Sequence, residues 1–459
     1  MKARLLPATG ATGFASVDRR KFLAGLTASA ALPALVLPSA ARSMPSNPDV
    51  VIVGAGAAGI AAAYLLAQRG ISFVVVEAKD WIGGRAFTET ASFGVPFDHG
   101  ASWIYQADHN PLTPIANRAG FSLVPQDDAK ERLFVGATPA SYTENAAYRE
   151  AWYEVSTAFR GIAHSGQDVA AASRLPVNLP WTNVVKTWLG PIDMGMEIEE
   201  FSAVDWWKLD MATPSLQVRE GVGSVIRSVG KDIPVQTSTP VTTIDWGGAD
   251  GVRVETPAGT IRAKAAIVTV STGVLAAESI RFDPPLPART LRAIDDLPMG
   301  LLAKIGLQFD GSTKFGLRPN EWLSYTADTS QLSYFHSWPC DTDMMVGFVG
   351  GRFAWDLTGA GEKAAVDFAL GELRRIFGPD VDRSFVAGRF TGWGSDSNVR
   401  GAYAVAKPGG HGARELLAAS HDDRLYFAGE ALAGGMATTV GGAFVNGRQV
   451  ADIVAREIA

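Results

Sequence analysis

The stretch VVIVGAGAAGIAAAYLLAQRGISFVVVEA, residues 50–78, decides the fold of this chain of 459 residues. Residues 50–53 form an apolar run that predicts a buried parallel strand, and residues 73–76 predict a second one. Between them, residues 60–68 predict a helix with Gly70 as its C-cap. A strand, a helix and a second strand in this order predict a βαβ unit and therefore an α/β fold.

The turn between the first strand and the helix carries glycine at three spaced positions, Gly54, Gly56 and Gly59. The first allows a tight turn, the second lets the backbone approach a pyrophosphate, and the third lets the helix pack on the strand. Ala57 and Ala58 then lie at the helix N-terminus, where free N–H groups favour a phosphate. This turn predicts a Rossmann-like site for a dinucleotide.

Glu77 closes the second strand 23 residues after Gly54, with Ala78 beside it. A carboxylate at this spacing accepts hydrogen bonds from ribose hydroxyls. On these residues alone the dinucleotide is either NAD or FAD.

A second glycine loop, Gly83-Gly84-Arg85, follows six residues after Glu77. Its glycines predict another close backbone approach, and Arg85 can offset phosphate charge. A nicotinamide site does not need such a loop, whereas a larger cofactor that lies extended across the domain does.

Four motifs together resemble the flavin amine oxidase family: GAGAAG, VVVEA, GGR and the run DHGASW at residues 98–103. The resemblance implies that the cofactor is FAD and that Gly100, Ala101, Ser102 and Trp103 line its site.

The end of the chain resembles the family's C-terminal flavin segment. Residues 425–427 read as a strand, and a helix opens near residue 441. The resemblance implies that Gly429 and Glu430 contact the ribityl or pyrophosphate part of FAD. Thr439 and Val440 would face the flavin ring, where a helix dipole stabilises negative charge.

Two further segments extend the resemblance over most of residues 48–459. Residues 240–244 resemble the strand whose backbone meets the adenine at Val241, and residues 267–275 resemble a strand and turn of the cofactor domain.

The four blocks imply a discontinuous organisation. Residues 48–125, 217–285 and 387–459 would form the FAD-binding domain, and residues 126–216 and 286–386 would form an α+β substrate-binding domain. The second domain has a helical part with five tryptophans, most of which we expect in its core, and a part rich in strands.

Lys304 lies in an otherwise apolar strand, where its ammonium needs a partner or a lowered pKa. The preceding Pro-Met-Gly also resembles the family, in which a lysine here holds a water against the flavin N5. The alternative is a lysine at the end of a strand that reaches solvent.

The segment from Trp393 to Tyr403 resembles the one that lies under the flavin. Lys304, Tyr403 and Trp393 are therefore the predicted catalytic residues, with Tyr403 as one wall of an aromatic cage around the amine. Monoamine oxidases have a cysteine bonded to the flavin where this chain has Ala402, so the resemblance implies non-covalent FAD. Thr439 replaces the second aromatic wall, as in polyamine oxidases, but Tyr105 replaces an acid that plant polyamine oxidases have.

The predicted function is oxidation of an amine, a diamine, a polyamine or another primary or secondary amine, by hydride transfer to FAD. One alternative is an amino-acid oxidase, in which Arg352 or Arg400 would pair with the substrate carboxylate. Another is a flavin-binding protein without turnover. The histidines show no metal-binding spacing, and no motif for a serine or cysteine nucleophile occurs.

Residues 1–41 resemble a twin-arginine signal peptide, with Arg19-Arg20 before an apolar segment and small residues at its end. Pro33 and Pro38 interrupt the apolar segment, which argues against the alternative of a membrane anchor. We expect cleavage, export to the periplasm and no membrane span afterwards.

The charge of the chain bears on its partners. The signal holds five of the 41 basic and one of the 47 acidic residues, which leaves 36 basic and 46 acidic residues and a net charge near −10. Such a charge argues against nucleic acid and suits cationic substrates. Expected partners are the amine and either O₂ or a periplasmic electron carrier, and a homodimer stays open as the assembly. The lone Cys340 excludes an intrachain disulfide.

Overall fold

The structure is a computed structural model that describes residues 47–175, 180–209, 213–248, 250–326 and 331–458. The strands, in chain order, are β1 (Val50–Val53), β2 (Phe73–Val76), β3 (Thr88–Glu89), β4 (Phe97–Asp98), β5 (Leu123–Pro125), β6 (Glu131–Val135), β7 (Thr138–Pro139), β8 (Leu216–Val218), β9 (Val235–Gln236), β10 (Thr243–Asp245), β11 (Val252–Thr256), β12 (Gly259–Ala263), β13 (Ala265–Val268), β14 (Arg281–Asp283), β15 (Met299–Gly300), β16 (Leu302–Phe309), β17 (Trp322–Tyr325), β18 (Tyr334–Ser337), β19 (Met344–Gly350), β20 (Phe385–Phe390), β21 (Tyr403–Ala404) and β22 (Leu425–Phe427).

The helices connect these strands. In chain order they are α1 (Ala57–Gln68), α2 (Leu112–Arg118), α3 (Tyr142–His164), α4 (Thr182–Thr187), α5 (Ala203–Lys208), α6 (Val222–Gly230), α7 (Thr272–Ala276), α8 (Ala288–Asp295), α9 (Gly351–Ala360), α10 (Glu362–Phe377), α11 (Asp380–Ser384), α12 (Ala413–Leu417) and α13 (Val440–Glu457). A five-residue π-helical turn, Trp188–Ile192, continues directly from α4.

A five-stranded parallel sheet in the order β22-β13-β1-β2-β9 forms the centre of the dinucleotide-binding unit. Its middle strands are fully buried, as expected for a parallel sheet with helices against it. Helix α13 packs on α1, and their approach is close because a side chain at Gly447 would meet the carbonyl oxygen of Ala58 at 2.1 Å. The predicted α/β fold with a GxGxxG unit is confirmed.

A seven-stranded sheet in the order β20-β16-β19-β18-β17-β6-β7 forms the second main layer. Strand β6 pairs in parallel with β17, so the two segments predicted for substrate binding meet in one sheet. Of the five tryptophans in the helical part, Trp188 and Trp206 are buried and the other three are half-buried.

The structure differs from the sequence predictions at several element boundaries. Helix α1 begins at Ala57, three residues earlier than predicted. Residues 272–276 form a helical turn, where a plain turn was predicted. Strand β10 begins after Val241, so that residue lies in the loop before it. The predicted signal at residues 1–41 lies outside the described residues, and within the described part no helix has the length and apolar character to cross a membrane.

Candidate functional site

A cavity of about 440 Å³ lies between the two main sheets. Its lining comes from all four sequence blocks and includes every predicted cofactor and catalytic residue except Gly59. A Cβ at Gly59 would lie 1.9 Å from the carbonyl oxygen of Gly54, so this glycine serves the packing of α1 against the preceding turn. The structure therefore brings the predicted residues to one place.

The N-terminus of α1 faces this cavity through Ala57 and Ala58. Its N-cap, Gly56, provides no side-chain cap, and the first turn has no acidic residue. Free N–H groups here suit a pyrophosphate. The second glycine loop lies against this turn, because a Cβ on Gly84 would come within 3.2 Å of the Cα of Gly56. Both loops leave backbone accessible, as a dinucleotide requires.

Glu77 lies at the end of β2 and is 8% exposed. Its Oε2 accepts a hydrogen bond from the N–H of Ala55 at 2.7 Å, and its Oε1 accepts one from the N–H of Lys79 at 2.9 Å. Burial raises the pKa of this carboxyl, although the two N–H groups oppose the shift. The position is the one predicted for the acid that binds ribose.

Arg85 joins loops that are more than 300 residues apart in the chain. It donates to the carbonyl oxygen of Ala402 at 2.7 Å and to Glu430 Oε1 at 3.0 Å. Glu430 also accepts from the N–H of Ala404 at 3.0 Å and from the N–H of Thr438 at 3.2 Å. Both oxygens of Glu430 therefore have protein partners. These bonds order the loops around the cavity, which Glu430 also lines, and its predicted contact with the cofactor stays a prediction.

Helix α13 begins at Val440 with Thr439 as its N-cap, whose hydroxyl accepts from the N–H of Gly442 at 2.9 Å. Both residues line the cavity. The helix N-terminus therefore faces the cavity, and its predicted position at the flavin ring stays a prediction.

Ala402 lines the cavity, and the lone Cys340 is buried elsewhere. His99 also lines the cavity, but its Nε2 contacts Glu89 and its Nδ1 contacts Thr391. Of the described residues, none offers a thiol to a cofactor.

Trp393 is buried and donates from its Nε1 to the carbonyl oxygen of His99 at 3.1 Å.

Lys304 extends from β16 into the loop that follows β4, and it is 4% exposed. Its Nζ donates to the carbonyl oxygen of Asp98 at 2.9 Å, to the carbonyl oxygen of Gly100 and to the hydroxyl of Ser102. Burial lowers the pKa of Lys304 to about 8, and the Asp98 carboxylate opposes this shift. The alternative of a lysine that reaches solvent is therefore wrong.

Tyr403 and Asp193 lie in contact and both line the cavity. The hydroxyl of Tyr403 donates to the carbonyl oxygen of Asp193 at 3.0 Å. Burial, and next the charge of Asp193, raise the pKa values of both Tyr403 and Tyr105. Asp193 is half-buried, and its Oδ2 accepts from Trp206 Nε1 at 2.8 Å. The sequence did not identify Asp193, which directly follows the π-helical turn.

A group of aromatic rings in mutual contact also lines the cavity. Trp103 stacks on Trp322 with ring centres 6.0 Å apart, and Phe348 lies 5.4 Å from Trp322. Trp188 approaches Trp322 edge-on at 5.5 Å. All four line the cavity. Such a wall accommodates alkyl groups and attracts cations through its ring faces.

Asp127 lies at the solvent side of the cavity and is exposed. Its Oδ1 accepts hydrogen bonds from the N–H and the hydroxyl of Ser215, at 3.0 and 2.9 Å. Residue 215 directly precedes β8, whose Leu216 pairs with Ile104, so Asp127 is near the Tyr105 side of the cavity. The sequence did not identify Asp127 either.

The two arginines considered for a carboxylate substrate do not line the cavity. Arg352 is exposed and pairs with Glu200, and Arg400 donates to the carbonyl oxygen of Ser397. Arg85 is the one arginine of the described residues in the lining, and Glu430 and Ala402 hold it. Across the described ranges, no group of His, Cys, Asp and Glu has the arrangement of a metal site.

Comparisons with known proteins agree on one family. The family model described as flavin containing amine oxidoreductase matches residues 57–455. Polyamine oxidase 2 of Arabidopsis thaliana is 30% identical over 448 residues, which cover 90% of this chain and 89% of that protein. Lysine-specific histone demethylase 2 of Homo sapiens is 26% identical and shares 89% of this chain but 53% of its own length.

Solved structures show the same fold. A redesigned putrescine oxidase has a TM-score of 0.73 at 21% identity, over 89% of this chain and 99% of that chain. Cyclohexylamine oxidase from Brevibacterium oxydans also has a TM-score of 0.73 at 21% identity, over 90% of this chain and 99% of that chain.

Proposed function

The chain belongs to the family of flavin containing amine oxidoreductases and is an FAD-dependent amine-oxidising enzyme, and we propose that its substrate is a diamine or a polyamine. When bound, FAD would supply the electron chemistry as the acceptor of a hydride from the carbon beside the amine nitrogen. The imine then hydrolyses to an aldehyde and ammonia or a shorter amine. The protein positions the amine and balances charge around it.

The observation that carries the proposal is the presence of Asp193, an acidic residue, in the cavity wall. Tyr403 follows Ala402, which lies beside Arg85 at the cofactor loops, and its hydroxyl reaches the main chain of Asp193. The Tyr403 side chain therefore extends roughly 6 Å from its backbone, beside the cofactor loops, to the main chain of Asp193. The two nitrogens of putrescine are also roughly 6 Å apart when it is extended. One nitrogen can lie at the cofactor while the other, as an ammonium, pairs with Asp193.

Asp127 adds a second carboxylate closer to solvent. A longer polyamine has a further ammonium, which Asp127 can pair with while Asp193 holds the inner one. Carboxylates at two depths suit a substrate with several positive charges better than a monoamine.

Lys304 and Tyr403 act on the amine and the flavin edge in this proposal. Lys304 supplies a buried polar group beside the reacting atoms. The ring face of Tyr403 contacts the amine and orients it toward the flavin. Because Arg352 and Arg400 lie outside the cavity lining, an amino acid would find no free cation for its carboxylate in the described part of the site.

A second candidate substrate is a monoamine with a bulky apolar group. The aromatic wall of Trp103, Trp188, Trp322 and Phe348 favours it, because apolar surface buried there leaves water. Such an amine has no second nitrogen to place against Asp193.

The test is anaerobic mixing of the purified FAD-loaded enzyme with putrescine, spermidine, butylamine and cyclohexylamine. Loss of the absorption band of oxidised flavin at about 450 nm reports reduction of the flavin. We expect faster bleaching with putrescine and spermidine than with butylamine. Faster bleaching with cyclohexylamine would favour the second candidate, and no bleaching with any amine would contradict amine oxidation altogether. Admitting oxygen afterwards tests O₂ against a separate electron carrier.

We also propose that residues 1–41 direct export through the twin-arginine pathway. The paired Arg19-Arg20 before an apolar segment supports this. That pathway carries folded proteins, which suits a chain that binds FAD before it leaves the cytoplasm.

A further inference from the structure

We propose that Ser102 is a positioning residue for Lys304 and that its hydroxyl connects the lysine to the cavity. The inference rests on the proposed role of Lys304 at the reacting atoms. Ser102 would help set the pKa of Lys304. The protonation state of Lys304 would in turn decide whether the Ser102 hydroxyl donates or accepts a hydrogen bond on its cavity side.

The first observation is that the protein already uses three donors of Lys304. An ammonium group has three N–H bonds, and the acceptors present are the carbonyl oxygens of Asp98 and Gly100 and the hydroxyl of Ser102. A charged Lys304 therefore has no donor left for a water while these bonds hold. With these contacts in place, Lys304 must act through one of its partners.

The second observation is that Ser102 differs in kind from the two carbonyl groups. A carbonyl oxygen only accepts, whereas a hydroxyl both donates and accepts. Ser102 also lines the cavity, while Asp98 does not. When Lys304 is an ammonium, Ser102 accepts from it and can direct its own O–H into the cavity. When Lys304 is an amine, its lone pair accepts the Ser102 O–H, and Ser102 then presents only lone pairs to the cavity.

The charges around Lys304 place this change in an accessible pH range. Asp98 contributes a nearby carboxylate, and its own pKa is raised by burial. His99 and His336 face the lysine as neutral rings, since burial lowers the pKa of both, that of His336 to about 3. Trp103 and Phe348 contribute ring faces 5.7 and 5.8 Å from Nζ. With the pKa of Lys304 at about 8, the ammonium dominates below that pH and the amine above it.

The direct test is NMR of enzyme with lysine labelled at its ε-carbon. The chain has 12 lysines, and Lys304→Met identifies the resonance of Lys304 by its loss. We expect Ser102→Ala to lower the pKa of Lys304 by about 1 pH unit, the effect of one hydrogen bond to a charged group. Ser102→Thr and Ser102→Val form a matched pair of the same shape, and only Thr should restore the original pKa. An unchanged pKa in Ser102→Ala and Ser102→Val would overturn the inference.

The second test follows reoxidation by oxygen after reduction with dithionite, which needs no identified amine. A cation beside the flavin favours electron transfer to oxygen, so the rate should fall as Lys304 loses its proton. The midpoint pH of that fall should move with the NMR pKa in each Ser102 variant. A pKa that moves while the kinetic midpoint stays would mean that Ser102 is only structural. If Lys304→Met itself leaves the rate and its pH profile unchanged, the proposed role of Lys304 fails, which is a separate result.

Discussion

Replacing Asp193 with asparagine removes one charge from the cavity wall and little else. Asparagine has nearly the same size, and its amide oxygen can still accept from Trp206 Nε1, as the aspartate does at 2.8 Å. The carbonyl oxygen that holds Tyr403 belongs to the main chain and remains. The variant therefore tests the charge of Asp193 with the wall in place.

The expected effect follows from the surroundings of that charge. Burial, and next the charge of Asp193, raise the pKa values of Tyr105 and Tyr403, and Asp193 itself is half-buried. Two opposite charges about 4 Å apart interact by roughly 4 kcal/mol at an effective dielectric constant near 20. After desolvation, a charge-assisted hydrogen bond retains about 1.5–3 kcal/mol. We expect kcat/KM for putrescine to fall by about tenfold to a hundredfold.

The assay compares kcat/KM for putrescine and butylamine at one pH. Butylamine has no second nitrogen, so its value should change by less than about twofold, the range of a neutral substitution. Asp128→Asn is the matched control, because Asp128 is exposed and does not line the cavity. Equal losses for the two amines, or no loss for putrescine, would refute the assignment of Asp193 to the distal ammonium. Asp127→Asn extends the series and should weaken spermidine more than putrescine.

Three other predictions are simpler to test. Because Ala402 replaces the cysteine that bonds the flavin in monoamine oxidases, acid precipitation should release all yellow colour into the supernatant, and colour that stays with the chain would contradict non-covalent binding. Because a protonated amine has no lone pair and free alkylamines have a pKa near about 10.4, kcat/KM should climb with pH through neutrality, and a flat profile would argue against amine substrates. Changing Arg19 and Arg20 to lysine should hold the FAD-loaded enzyme in the cytoplasm, as fractionation would show, and unchanged periplasmic activity would exclude the twin-arginine route.

The parts of the fold that the sequence predicted are those with strong local signals. Strands β1, β2 and β22 have the predicted bounds, because each is a short run of large apolar residues that follows a polar residue and ends close to a glycine or an acid. Helix α1 begins earlier than predicted because Ala57 and Ala58 continue the helix directly from the turn. The pairing of β6 with β17 joins residues nearly 200 positions apart, and no local pattern indicates such a partner.

The residues of the candidate site likewise fall into those with a local sequence signal and those without one. Gly54, Gly84 and Lys304 each break a local pattern, as a glycine in a turn or a lysine in an apolar strand, and the sequence singled them out. Asp193 and Asp127 are ordinary acids in segments without a motif, and they matter only because the fold brings them to the cavity. The partners of Lys304 lie about 200 residues away in the chain. The sequence therefore could not predict that protein acceptors occupy all three N–H bonds of the Lys304 ammonium.

Buried polar contacts between the segments indicate that the cavity has fixed walls. Arg414 and Asp205 form a pair with both side chains at most 6% exposed, and Arg414 also donates to the carbonyl oxygens of Ala404 and Ala431. Lys304 joins β16 to the loop after β4 in the same manner. Separating either set would leave a buried charge unpaired, at a cost of about 3–5 kcal/mol. Since opening along these contacts is unfavourable, the selectivity of the site depends on the charges and rings already in place around the cavity.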